Sequence, residues 1–212
     1  VRARYSLDGK IVLGFTGFVR DWHGADKIVR YLARAKRPDL HFLLVGDGDV
    51  RKALEDEAAS LGVAGQMTIT GVVQREDMAR HVAAFDIALQ PAVVPYASPL
   101  KLIEYMALGK PIVQFDLHEG RQSAGGASLY ARRDDPEDFA KKICQLIVQK
   151  GKRERMGALG RERVATRLSW EHSVPHLLHA YERVFERRTS RSIDAAKAVV
   201  AAAASTRVEA SQ

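Results

Sequence analysis

Short, mostly apolar runs recur along the chain, and stretches with helical spacing separate them. KIVLGFTG precedes ADKIVRYLARAKR, LHFLLVGDG precedes DVRKALEDEAASLG, and MTITGVV precedes REDMARHVAAF; DIALQPAV precedes SPLKLIEYMALG, and PIVQFD and SLYA lead to DPEDFAKKICQLIVQK. Several of these runs are almost continuously apolar instead of alternating, as strands buried on both faces of a parallel sheet must be. The pattern therefore predicts a doubly wound α/β fold: a parallel six-stranded sheet with helices on both faces and right-handed connections.

In such a fold ligands bind at the carboxyl ends of the strands, where tight turns let the backbone approach them. The loops expected there are GFTGFVRDWHG, VGDGD, TGVVQ, PAVVPYASP and FDLHEGRQSAGG. The 212 residues are 46% hydrophobic and 28% charged, enough apolar material for one core of ordinary size. No run reaches the length of a membrane span, and VRARYSLDGK lacks the apolar stretch of a signal peptide. Because the first residue is Val1, the chain is read as a piece of a longer protein, with residues 1–10 a linker remnant, 11–187 the domain and 188–212 an alanine-rich tail or linker.

The net charge of +7 favours acidic partners without choosing among them. Much of it lies in KGKRERMGALGRERVATR, where acidic and small residues interrupt the basic ones and no aromatic is interleaved. That composition reads as a solvated helix face, not a nucleic-acid patch. Cys144, the only cysteine, rules out a disulfide within the chain and is expected in the core.

The segment PYASPLKLIEYMALGKPIV carries the most chemistry. Ser98 is a suitable N-cap and Pro99 suits the first helical position, while Gly109 and Pro111 end the helix. Apolar residues surround its axis, so Lys101 and Glu104 are its only charges, three residues apart and expected on one face. A lysine in the first turn opposes the helix dipole by roughly 0.3–1 kcal/mol, and a bound anion would reverse that sign. A plain ion pair between Lys101 and Glu104 at a solvated edge explains the same residues equally well.

The segment SPLKLIEYMALGKPIV also resembles the helix-and-strand signature of retaining GT-B-fold glycosyltransferases, family 4 or group 1, in which SPxKxxEYMAxGKP is a common variant. FTGFVRDWHGAD is similar to that family's first phosphate loop, and FLLVGDGDVRKALEDEAASLG to its second unit. MTITGVVQREDMARHVAAFDIALQPA matches the third unit and LSWEHSVPHLLHAYERVF the final helix. The resemblance implies a Rossmann-like domain, the C-terminal half of a GT-B enzyme, that binds a nucleotide diphosphate sugar. It places Glu104 on the ribose hydroxyls and the segment Ser98, Pro99, Leu100 and Lys101 against the diphosphate, with Gly17 opening the first phosphate loop. The backbone of Val72 and Val73 would read the base, and Gly46 and Asp47 would line the cleft, although Asp47 also suits a turn cap.

Three positions depart from the family's pattern. Tyr96 stands where a sugar-holding glutamate is usual, and Phe18 and His23 stand where an arginine and a lysine neutralise the diphosphate. Arg20 and Lys101 are the cations available to stabilise the leaving phosphate, while Trp22 reads as a packing anchor for the loop. His118, Glu119 and Arg121 invite a base or metal role, but they lack a ligand set and read as loop structure; no metal and no cofactor are expected. The resemblance further implies an N-terminal partner domain carrying the acceptor site, no nucleic acid, and a cytoplasmic enzyme with peripheral association at the inner face of the membrane. A nucleotide-sugar epimerase and a non-catalytic binding or assembly domain are the alternatives.

Overall fold

The structure, a computed structural model, describes residues 1–186. They belong to two units, one of Val1–Ala165 and one beginning at Thr166. The first unit holds a six-stranded sheet of β1 (Ile11–Thr16), β2 (Leu40–Val45), β3 (Met67–Ile69), β4 (Ile87–Gln90), β5 (Ile112–Phe115) and β6 (Ser128–Ala131). Every pairing is parallel and the order is β3-β2-β1-β4-β5-β6. All six strands fall within the six apolar runs. The central strands are buried along nearly their whole length, β2 entirely so, whereas the edge strand β3 is only partly covered. Burial on both faces is what forces the continuous apolar pattern.

Seven helices wrap this sheet: α1 (Ala25–Ala35), α2 (Arg51–Ser60), α3 (Arg75–Ala83), α4 (Lys101–Ala107), α5 (His118–Ala124), α6 (Pro136–Val148) and α7 (Lys150–Arg163). Leu13, Phe15, Phe42, Leu44, Ile87 and Val113 of the sheet join Ile28, Leu32, Phe139 and Ile143 of the helices in one core. Each such side chain contributes about 1.5–3 kcal/mol through burial, before the entropy of ordering is set against it. α6 shows how local chemistry sets a boundary. Pro136 occupies its first turn, and the Asp135 side chain accepts a hydrogen bond from the Asp138 amide at 2.9 Å.

Several expectations change. Residues 1–10, read as a linker remnant, pack onto the first unit: Leu7 is fully buried and the Arg2 guanidinium donates to the carbonyls of Ala84, Leu7 and Lys10. The fourth helix starts at Lys101 without a side-chain cap, so Ser98 is not its N-cap. The preceding turn closes through tighter bonds, Leu102 N to Pro99 O and Ile103 N to Leu100 O, which shorten the helix to seven residues. FDLHEGRQSAGG, expected as a loop, contains α5. Cys144 is exposed instead of buried, because the covered face of α6 runs through Ile143, Leu146 and Ile147 and leaves Cys144 at its margin.

The basic stretch forms α7, whose glycines let it approach α4: a Cβ on Gly157 would lie 2.1 Å from the Gly109 carbonyl oxygen. Some of its basic residues serve as caps. Arg153 donates to the last-turn carbonyl of Ile147 and Arg163 to that of Ser123. In the second unit a helix runs over residues 170–186, the place expected for the final helix, and exposes Trp170, Leu178, Tyr181 and Phe185. The alanine-rich stretch from 188 lies outside the described residues. None of the helices described is long and apolar enough to cross a membrane.

Candidate functional site

With this order successive strands are added outward on one side of β1 and then, from β4, on its other side, and the crevice beyond the carboxyl ends of β1 and β4 is where a doubly wound sheet binds ligands. Two loops meet there. The first follows β1 through Gly17 to Gly24, and the second follows β4 from Pro91 to Leu100. They touch at Gly24, whose φ of 70° leaves room for the Pro91 carbonyl; an added Cβ would stand 2.7 Å from that oxygen.

The β1 side is cross-bonded to its neighbours. Gly17 N donates to Val45 O at 3.0 Å, Val19 N to Asp47 O at 2.7 Å, and Gly46 N to the Thr70 hydroxyl at 3.1 Å. Gly46 lies so close to Gly17 that a Cβ there would sit 2.1 Å from the Gly17 carbonyl oxygen. Asp47 accepts from Gly48 N at 2.9 Å and pairs with Arg51 at 3.3 Å, so it shapes the turn, as its alternative reading had it.

Tyr105 then fixes α4 against β1. Its fully buried hydroxyl accepts the Thr16 amide hydrogen at 2.9 Å. This contact, absent from the sequence reading, carries Lys101 to the end of β1. The Lys101 ammonium sits 3.8 Å from the Phe15 ring centroid and beside Gly17, where an added Cβ would be 3.3 Å from Nζ. Lys101 has no ion-pair partner among the described residues. Burial pulls its pKa down to about 8, a shift that the charge of Glu104 only partly offsets. The Lys101–Glu104 ion pair, the alternative reading of these two residues, does not form. Although residues three apart lie only about 60° from each other around a helix, the two side chains part: Lys101 is held over the ring face of Phe15, while Glu104 lines a groove against α3.

Arg20 and His23 complete the cationic side of the crevice. The Arg20 guanidinium stacks 5.3 Å from the Phe18 ring centroid and 5.2 Å from that of Trp22, and lies 3.9 Å from Asp49. Trp22 is half exposed and supports this cation; it is not anchored in the core. His23 Nδ1 accepts the Arg20 amide hydrogen at 3.0 Å, which leaves the ring proton on Nε2 in the neutral form. Its pKa falls to about 4 through burial first, then the charges of Lys101 and Arg20.

The sequence profile described as glycosyl transferases group 1 matches residues 10–149, two loops and all six strands included. The chain belongs to the group 1 glycosyltransferases. Among curated members of the family it is 30% identical over 204 residues to a D-inositol 3-phosphate glycosyltransferase of Stackebrandtia nassauensis, covering 88% of this chain and 45% of that one. It is 27% identical over 191 residues to a 2-deoxystreptamine glucosyltransferase of Streptomyces kanamyceticus, covering 87% and 49%. The chain thus spans about half the length of these relatives. The fold is shared with Anabaena HepE, solved in complex with UDP, at a TM-score of 0.75 and 20% identity over 84% of this chain and 51% of that one. Sucrose-phosphate synthase from Thermosynechococcus elongatus gives a TM-score of 0.76 at 23% identity, covering 87% and 48%.

Other predicted site residues of this group 1 chain lie around the crevice in different surroundings. Tyr96 is 87% exposed and Leu100 74% exposed on the β4–α4 loop, with Ser98 and Pro99 between them. Val72 and Val73 follow β3, where Gly71 bridges to Gly46. His118, Glu119 and Arg121 are on α5. Arg121 is bound to the Asp116 carboxylate and stacks 4.4 Å from the Tyr130 ring centroid, which makes it structural. Among the described residues there is no group of three His, Cys, Asp or Glu side chains suited to a metal ion.

Proposed function

We propose that the chain is the donor-binding domain of a glycosyltransferase that takes a sugar from a nucleotide diphosphate sugar and passes it to an acceptor with retention of configuration. The observation that carries this reading is Lys101: a half-buried cation without an ion-pair partner among the described residues, held over Phe15 and next to Gly17 at the crevice. The family membership supports it, as does the likeness to HepE, which was solved with UDP and also with UDP-glucose.

In the reaction, the bond from the sugar to the β-phosphate oxygen breaks and negative charge accumulates on the leaving phosphate. A cation already stripped of water stabilises that charge more strongly than one in bulk solvent, and it needs no rearrangement as the charge forms. Lys101 takes this role, with Arg20 beside it. His23, neutral and carrying its proton on Nε2, donates a hydrogen bond to a phosphate oxygen instead of a charge. Glu104 accepts from the ribose hydroxyls, and the loop at Tyr96 faces the sugar. No side chain of this chain is assigned as a nucleophile, and no metal or other cofactor is given a part.

The acceptor site belongs to a second domain, N-terminal to this one, in an enzyme of the cytoplasm that associates with the inner face of the membrane. On this reading the isolated chain binds nucleotide but transfers sugar negligibly. Calorimetry with UDP, GDP and their sugars tests it, using the native chain, Lys101→Ala and Glu104→Ala. Binding of one nucleotide family that both substitutions weaken is the expected result. A folded chain that binds none of them would sink the reading.

A further inference from the structure

β1 and β4 border the crevice, yet the ladder between them is short. Leu13 pairs with Ile87 and Gly14 with Ala88, whereas the β1–β2 ladder runs on to Thr16 and Val45. Successive amides of a strand inside a parallel sheet face opposite neighbours. Gly17 N reaches β2, at Val45 O, so the Thr16 amide points towards β4. Its partner there is the Tyr105 hydroxyl at 2.9 Å, not a carbonyl of the strand. A side chain also completes the other end of the ladder, where Val12 N donates to the Asp86 carboxylate at 2.7 Å. The two strands therefore part beyond Gly14 and Ala88, and a phenol stands where they separate.

Packing fixes that phenol. A Cβ on Gly14 would stand 2.0 Å from the Phe85 ring, so the glycine makes room for Phe85, whose ring meets that of Tyr105 nearly edge-on at 6.1 Å between centroids. The Tyr105 hydroxyl also lies 3.1 Å from that of Thr16, and burial raises its pKa, which keeps it protonated. A phenylalanine would fill the same space but leave the Thr16 amide without this partner. The residues that the bond joins are those of the phosphate end. Thr16 stands between Phe15, whose ring carries the Lys101 ammonium, and Gly17, which lies beside it, while Lys101 precedes Tyr105 by one helical turn.

We propose that the Tyr105 hydroxyl is a positioning group for the phosphate end of the site: it ties α4 to the end of β1, which sets Lys101 beside Gly17 and keeps water from the ammonium. This rests on the donor-binding reading above and adds to it a residue that touches no ligand and acts through Lys101. The charged and titratable groups around the ammonium are Glu104 on its own helix and Arg20 and His23 of the first loop. Near pH 8 His23, held at about 4, is neutral, and that pH is far from the ordinary titration range of a glutamate or an arginine. A change in nucleotide affinity around pH 8 therefore reports Lys101.

The test is calorimetric titration of UDP and GDP into the native chain, Tyr105→Phe and Tyr130→Phe from about pH 7 to about pH 10, the span that a lysine shifted towards 8 crosses. Tyr130 is the matched control, because its hydroxyl donates to a backbone carbonyl, that of Gly125, at 2.7 Å on the edge strand β6. Tyr105→Phe is expected to lose about tenfold in affinity for the nucleotide that binds. The pH at which affinity falls should also move up from about 8 towards the ordinary lysine value of 10.5, as water reaches the ammonium. Tyr130→Phe should lower the melting temperature alone. A Tyr105→Phe chain that binds with the native pH dependence, whatever its melting temperature, or an equal loss of affinity in Tyr130→Phe would overturn the proposal and leave the donor site standing. Where Tyr105→Phe does not fold, the coupling is read in the native chain: bound nucleotide should slow hydrogen exchange at the Thr16 amide more than at the Val12 amide, and an equal change at both would overturn it. A folded native chain that binds neither UDP nor GDP would overturn both readings.

Discussion

On the β1 side of the crevice the loops after β1, β2 and β3 are bonded to one another through backbone groups, with Gly17, Gly46 and Gly71 at the junctions. On the β4 side, the segment from Pro91 to Ser98 has a backbone bond at the long limit, Ala97 N to Val94 O at 3.4 Å, and leaves Tyr96 in solvent. At the end of β4 the Gln90 side-chain oxygen is buried without a hydrogen-bond partner among the described residues. Under the proposed reading this contrast has a simple logic. The diphosphate is common to all donors of this kind and can be met by a fixed backbone, while the sugar varies and is met by a loop that few bonds constrain.

The strongest way to break the contrast is to disturb the rigid side. Gly46→Ala places a Cβ against the Gly17 carbonyl at a backbone φ of 139°, and should cost about 2–4 kcal/mol in urea unfolding. A midpoint equal to that of the native chain would show that the junction yields easily. Lys101→Ala should weaken nucleotide binding by about 2 kcal/mol, the scale of a charge-assisted contact, with little change in stability, because the desolvation of the cation offsets its contact with the Phe15 ring.

Acid should act on the rigid side as well. Burial is the largest cause holding both His23 and His41 at about 4, aided by Lys101 and Arg20 for the first and Lys10 for the second. The unfolded chain takes up these protons near pH 6.5, so stability is complete above that value and is lost as pH falls towards 4. Melting temperatures across that window, with and without His41→Gln, measure the slope; an unchanged slope in the variant would remove His41 from the explanation. The smallest effect belongs to the loose side. Tyr96→Ala should change stability by less than about 0.5 kcal/mol and leave UDP or GDP affinity unaltered, since its ring is in solvent.

The strands and the order of helices were legible because burial on both faces leaves a signal in every strand, local enough to read one run at a time. The loops at the carboxyl ends of the strands were legible for the same reason, but the strand order that sets the crevice between β1 and β4 was not. What stayed hidden depends on packing between distant segments. Nothing near Lys101 announces that Tyr105 bonds to Thr16, yet that bond decides where the lysine points. The divergence of Lys101 from Glu104 follows from Phe15, far away in sequence. Cys144 lies at the margin of a helix face, where a shift of one residue separates core from surface.

The central claim is that the Lys101 ammonium receives the donor diphosphate. Its pKa of about 8 makes this directly measurable, because a bound anion favours the protonated form. UDP or GDP titrations at pH 8.5, in two buffers with different ionisation enthalpies, report the protons taken up on binding. The expected result is a net uptake by the native chain, with affinity falling as pH rises through about 8, and no such uptake by Lys101→Ala. Binding without proton uptake, or the same uptake in both chains, would contradict it.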